Sequence, residues 1–434
     1  MKDLIMISWP KFRRPASAIP ASTAWIAMAS IPLVHYFWPD LGAVSDRDQT
    51  VLFALTIFAI LALSEIFIAR IHRKPGSGLV YNPENFKDPA YLADFWIKLI
   101  GLSASLALLA LFYSTADLYR DEWYQPFFSL FGDYWPLILA IVLSVVTAVH
   151  FSMRHPRDGM WHLGRVVLSF GRQSTGAREL KSFLLGLGVK GFFLPLMFCY
   201  LVYDWSFLQT RSLWDAQDFQ QIYAYLYRFA FFLDLTIVTI GYATATRLLT
   251  SHIRWTETTV SGWLVCVICY APFWQLLSRS YFNYVEDGFA WGVWLWDYPV
   301  LYGLWGGTIL FFLAVYCLTA ARMGLRFSNL TYRGLACDFP YNISKHPSYI
   351  SKNITWWMIS IPFIAVDFWA GLANCLALLG VNLIYFARAW HEERCLSRAP
   401  SYRAYKKHVN EYGLLVRIRR GLSGWTRSVA RQVN

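Results

Sequence analysis

Charge is what this sequence has least of. Asp, Glu, Lys and Arg together make up 15% of its 434 residues, against roughly 25% in an ordinary soluble domain. With 56% hydrophobic residues, the chain has too little polar surface for a soluble globular protein, which leaves an integral membrane protein. Acidic residues are the scarcer sign, 27 against 39 basic, for a net charge of +12. That excess does not describe a nucleic-acid groove, because Lys and Arg gather in alternate loops between apolar runs. Cysteine offers no framework either. Of the seven present, only Cys266 and Cys269 have C-x-x-C spacing, and they lie inside the apolar run W-L-V-C-V-I-C-Y without a second pair. Helix packing is expected of them, and no metal site or disulfide. Repeats at a solenoid period, low-complexity stretches and a soluble domain are all missing.

Long apolar runs are plentiful instead. A helix crosses the hydrocarbon core with about 20 apolar residues, and such runs fall at 20–38, 50–70, 93–114, 134–152, 181–203, 220–248, 258–280, 296–321, 349–366 and 368–390. The expectation is an all-α polytopic transmembrane bundle of about ten helices, with the 21 Trp and 26 Tyr enriched at the two bilayer interfaces. The basic start M-K-D-L-I-M-I-S-W-P-K-F-R-R-P resembles a cleavable leader, with Ala27-Met28-Ala29 as a possible cleavage site. Because the apolar run continues to Tyr36, an uncleaved first helix is expected.

Loop charge sets the orientation. One parity carries Lys2, Lys11, Arg13 and Arg14, then Arg73, Lys74 and Lys87, then Arg154, Arg157, Arg165, Arg172 and Arg178. Arg254 and later Arg322, Arg326, Arg333 and Lys345 continue it. The other carries Asp40, Asp46 and Asp48, then Asp117, Asp121 and Glu122, then Asp204, Asp215 and Asp218, then Glu286, Asp287 and Asp297. Both termini are therefore expected in the cytoplasm. The N-x-S/T triplets at Asn329, Asn342 and Asn353 would lie on that side and are expected unglycosylated. Of the ionisable residues inside spans, Lys98 and Arg228 lie near helix ends, where long side chains snorkel. Glu65 also falls inside a run, while the deeper Lys190 and Asp234 are expected to be structurally ion-paired or to line water.

Polar residues are densest near the C-terminus. D-F-P-Y-N-I-S-K-H-P-S-Y runs from Asp338 to Tyr349, R-A-W-H-E-E-R-C-L from Arg388 to Leu396, and Y-R-A-Y-K-K-H-V from Tyr402 to Val409. The two apolar runs between the first pieces are joined by a few residues around Asp367, so they must form an antiparallel hairpin. His346 and Glu392 then reach the same end. Pro347 suits a first helical turn, whose free N–H groups attract anions. Arg388 and Glu392, four apart, share a helix face, where an ion pair is the plain expectation. Glu393 beside them adds a second carboxylate that one arginine does not explain.

These three ordered pieces resemble the isoprenylcysteine carboxyl methyltransferase family and its relatives among membrane phospholipid methyltransferases, over about Asp338 to Gly413. The resemblance implies S-adenosylmethionine as cofactor, held by Tyr341, His346, Pro347, Tyr349 and Glu393, with Arg388 and Glu392 as the pair needed for activity. It also implies a methyl acceptor that is hydrophobic or lipid-linked, a carboxylate first, with an amine or hydroxyl left open. The chain divides accordingly into residues 1–325, about eight helices expected to shape the acceptor site, the hairpin region 326–420, and a basic tail 421–434. Two departures stand out: Asn410-Glu411-Tyr412 replaces a proline frequent after the third piece, and the first 320 or so residues match nothing in the family. A sterol-type reductase using NADPH shares a related hairpin and is the alternative, followed by a non-catalytic transporter or scaffold. A second Arg-His-Pro, Arg154 to Pro156, lacks the following Tyr and is expected to be an interfacial loop. Oligomeric state is left open.

Overall fold

The computed structural model describes residues 15–18, 20–71, 75–172, 176–280, 291–414, 416–418 and 420. Lys2, Lys11, Arg13, Arg14, Arg73, Lys74, Glu286, Asp287 and the basic tail 421–434 lie outside the described residues. Among those described, seven helices are long and apolar enough to cross a membrane. They are α2 (Asp46–Leu63, continued by a π-turn to Ile68), α3 (Pro89–Thr115), α4 (Gln125–Ser152), α6 (Ala177–Gln209), α7 (Phe219–Ala243), α11 (Pro299–Met323) and α13 (Phe368–Leu396). The chain is a multi-pass helical membrane protein.

The remaining runs form shorter helices for local reasons. α1 (Ala21–Tyr36) has 16 residues. The run 258–280 divides into α8 (Val260–Val267) and α9 (Phe273–Ser280), because Pro272 between them has no N–H to continue the ladder. The run 349–366 yields only α12 (Pro347–Ser360), which ends at Ile361 with φ +38° immediately before Pro362. Short α5 (Gly159–Leu168), α10 (Trp291–Leu295) and α14 (Pro400–Tyr412) complete the helices. Side-chain caps fix the starts of several: Ser45 for α2, Asp88 for α3, Asp218 for α7, Thr259 for α8 and Asp367 for α13.

α6 and α7 are the buried centre, with Phe193, Leu196, Trp205 and Phe232 packed against Phe53 of α2 and Ile31 of α1. α3 and α4 turn most of their apolar surface outward, as lipid-facing helices do. Where α3 crosses α5, Gly101 and Gly164 permit backbone contact; a Cβ at either would overlap the Met160 or the Ile97 carbonyl. This is the small-residue packing that brings membrane helices close.

The ionisable residues inside the bundle find specific partners. Glu65 pairs with Arg326 at 2.8 Å, Lys98 with Asp158 at 2.9 Å and Arg228 with Asp204 at 2.8 Å. Of the two arrangements expected for Lys190 and Asp234, an ion pair or a water-lined position, the ion pair is not formed among the described residues; Asp234 accepts from the Tyr316 hydroxyl at 2.9 Å. Three arginines counted as loop charges are also buried. Arg322 pairs with Asp338 at 2.7 Å, while Arg333 donates to the carbonyls of Ser251, Gly241 and Phe327. With Arg326 they fasten the segment after α11 beneath the end of α7. That segment contains β2 (Thr331–Tyr332), which pairs antiparallel with β1 (Trp255–Thr256), Trp255 opposite Tyr332 and Thr256 opposite Thr331.

Candidate functional site

The last turns of α13 return beside the start of α12, and the two halves of the C-terminal motif meet there. Helical spacing puts Arg388, Glu392 and Cys395 on one face of α13, toward a small cleft, and turns Glu393 away. Tyr349, one turn into α12, donates to Glu392 Oε2 at 2.7 Å. The His346 ring stacks on Tyr349, centroids 5.5 Å apart and planes within 4°. Its Nδ1 stands 3.9 Å from Glu392 Oε2 and its Nε2 lies 3.0 Å from Glu393 Oε1.

Glu393 is saturated. Besides His346 it holds Lys345 Nζ at 2.6 Å and, from α14, Lys406 Nζ at 2.7 Å. The Tyr405 hydroxyl donates to the Tyr341 carbonyl at 2.8 Å, and the Tyr341 hydroxyl donates to the Thr319 carbonyl at 3.3 Å. Of the residues singled out from sequence, Tyr349, Arg388 and Glu392 therefore line the cleft. Tyr341, His346, Pro347 and Glu393 do not line it; His346 ties the start of α12 to Glu393 of α13, and Lys406 and Tyr405 of α14 reach Glu393 and the Tyr341 carbonyl.

The ion pair expected from the four-residue spacing of Arg388 and Glu392 does not form. Arg388, 8% exposed, donates from Nη2 to the Tyr270 hydroxyl at 3.1 Å and to Asn329 Oδ1 at 2.6 Å. Its guanidinium lies over the rings of Tyr270, Tyr349 and Tyr385 at 5.3, 5.2 and 5.9 Å. Asn329 is fixed in turn, its Nδ2 donating to the hydroxyls of Tyr242 and Tyr270, each at 2.9 Å. Arg388 is thus a buried cation held by neutral oxygens and aromatic faces.

The opposite wall comes from the β1–β2 pair, which brings Glu257 against Leu330, N to O at 2.7 Å. Glu257 Oε1 accepts from the backbone N–H groups of Thr258 and Thr259 and from the Thr259 hydroxyl, each at 2.8 Å, and from Arg394 at 2.9 Å. Burial would raise its pKa, but Thr259, Arg394 and Thr258 outweigh that and hold it below the ordinary glutamate value. It is a carboxylate at neutral pH. Gly262 makes room for it, since a Cβ there would stand 2.6 Å from Glu257 Cγ.

No family model, curated protein or solved structure matches the chain. The chemistry of the cleft must be argued from its own atoms. Glu257, Asn329 and Tyr270 were not singled out as site residues in the sequence. Asn329 showed only an N-x-T triplet, Tyr270 gave no signal, and Glu257 offered one faint sign, a lone carboxylate at the edge of an apolar run.

Proposed function

We propose that the protein transfers a methyl group from S-adenosylmethionine to the carboxylate of a hydrophobic or lipid-linked acceptor, in a cleft facing the cytoplasm. One observation carries this reading. Arg388 forms part of the cleft wall as a buried guanidinium that makes no ion pair among the described residues. A buried charge without a counterion is costly. A carboxylate docking in the cleft would relieve that cost, and the planar fork of arginine suits it.

The residues present also fit the cofactor. Glu257 Oε2, Thr331 Oγ1 and His391 Nδ1 belong to cleft-lining residues and have no hydrogen-bond partner among the described residues. Tyr349, Glu392 and Glu257 would hold it, with Glu392 lending negative charge near a cationic sulfonium. When bound, the cofactor supplies an electrophilic methyl group.

An acceptor carboxylate already bears the charge it needs to attack, so no base is required and the chain's contribution is alignment. Arg388 positions the acceptor, and the surrounding Tyr270, Tyr349 and Tyr385 rings keep water from the guanidinium. An amine or hydroxyl acceptor would have to lose a proton, for which Glu392 is placed, with His346 behind it. The basic loops support a cytoplasmic cleft and cytoplasmic termini, and the lipid-facing helices support an acceptor arriving from the bilayer.

Calorimetric titration of the purified full chain tests this directly. S-Adenosylhomocysteine is expected to bind, and Glu392→Ala to abolish that binding or turnover. Binding of NADPH without affinity for S-adenosylhomocysteine would replace the methyltransferase with the reductase, and binding of neither would leave a transporter or scaffold.

A further inference from the structure

We propose that Asn329 makes the cleft selective for an anion: its amide gives Arg388 a neutral partner, where a carboxylate of the same shape would cancel the guanidinium's charge. This role rests on the reading of the acceptor as a carboxylate and names the residue that keeps Arg388 available to it.

Asn329 lies in the segment fastened beneath the end of α7, and two tyrosines hold it there. Its backbone N–H donates to the Tyr242 hydroxyl, and its Nδ2 donates to the hydroxyls of Tyr242 and Tyr270, all at 2.9 Å. With the amide nitrogen committed to the phenols, Oδ1 is the end that faces Arg388 Nη2, at 2.6 Å. The reverse orientation would set donor against donor, because a guanidinium offers no acceptor. The amide is therefore fixed in one direction from both ends.

Charge at this position sets Arg388 apart from the other buried arginines. Arg322 and Arg326 each meet a carboxylate, Asp338 at 2.7 Å and Glu65 at 2.8 Å, and Arg333 is taken up by three carbonyls. Arg388 bonds through Nη2 alone, to the Tyr270 hydroxyl and Asn329. Its Nε and Nη1 make no hydrogen bond among the described residues, and neither belongs to the polar atoms sealed from solvent. Glu392, on the same face of α13, is held by the Tyr349 hydroxyl and makes no ion pair with the guanidinium. Arg388 and Asn329 both line the cleft, whose free space of about 50 Å³ has room for a carboxylate head, since one water needs roughly 10–15 Å³. An anion arriving there finds unused donors and an uncancelled charge. Aspartate in place of Asn329 would remove the second of these. The fold has a way to accept it, because the two phenols can turn their own O–H groups toward a carboxylate.

The experiment compares octanoate with octanamide, one chain ending in a carboxylate or a neutral amide, by calorimetric titration of the full chain in a neutral detergent. Wild type is expected to bind octanoate about ten- to a hundredfold more tightly, the usual strength of a hydrogen bond to a charged group. In Asn329→Asp the new charge cancels the old one at close range, and the preference should fall to within about threefold. Asn329→Ser loses bonds and volume but stays neutral, so it should keep the preference even if both probes bind more weakly. A merely structural Asn329 predicts the opposite order, with the isosteric aspartate behaving like wild type and the serine variant faring worse. If Asn329→Asp does not fold, wild type and Asn329→Ser decide the matter, and loss of the preference in a folded serine variant overturns this role. An undiminished preference in Asn329→Asp also overturns it while leaving the carboxylate acceptor standing. No preference in wild type overturns both, and binding of S-adenosylhomocysteine would then leave a methyltransferase with a different acceptor.

Discussion

The Arg388 guanidinium is held by a phenol, an amide oxygen and three aromatic faces, and on the proposed function it receives the acceptor's carboxylate. Replacing the arginine with methionine keeps much of the volume and removes the charge. Arg388→Met is expected to lower methyl transfer by roughly a hundredfold or more, the scale on which buried charge partners matter, while S-adenosylhomocysteine affinity stays within about threefold. An equal loss of both would place Arg388 on the cofactor and not the acceptor. Tyr349 makes the complementary case. Its hydroxyl holds Glu392 at 2.7 Å, and Tyr349→Phe should weaken S-adenosylhomocysteine binding by about tenfold, the worth of one charge-assisted hydrogen bond, as read by the same titration.

Among elements, the α12–α13 hairpin does most to bring the site together, and it was also the most legible. Asp367 announces the start of α13, and its side chain accepts from the N–H groups of Trp369 and Ala370 at 2.7 and 2.9 Å. Asp367→Ala should cost about 1 kcal/mol, seen as a lower thermal midpoint, whereas Asp367→Asn should stay near wild type. An unchanged midpoint in the alanine variant would mean that packing alone fixes the hairpin. Two apolar runs with a short joint at Asp367 made the hairpin readable, because its two halves are near in sequence. The wall opposite was hidden for the converse reason. Glu257 meets Arg394 and Leu330, and Arg388 meets Tyr270 and Asn329, contacts across 59 to 137 positions that no local pattern reports. The division of the run 258–280 was half visible, in Pro272, but a hydropathy sum passes over one proline among apolar neighbours.

Across the whole molecule, the loop arginines have a second role that charge counting concealed. A sequence shows the sign of Arg322, Arg326 and Arg333 and their parity. It does not show that all three are buried, at 2%, 4% and 2% exposure, tying distant segments to one another. Arg326 meets Glu65 from α2 across 261 positions. Glu65→Ala removes that carboxylate from a buried cation and should cost about 3–5 kcal/mol, enough to lower sharply the yield of monodisperse protein on size exclusion. A variant eluting and melting like wild type would show that water reaches Arg326.

The shared carboxylate of Glu393 has a consequence for how this protein can change. Two ammonium groups and an imidazole, those of Lys345, Lys406 and His346, converge on it. Any one of them can be lost while the anion still has company, but losing the anion strands all three at once. Tolerance to substitution is therefore lopsided: the partners back one another up, and the effects of Lys345 and Lys406 replacements should combine non-additively, because each depends on what the other leaves behind. A lineage drifting through this region could exchange its lysines one at a time and keep the carboxylate paired, whereas a first step at Glu393 would leave Lys345 and Lys406 without the anion they share.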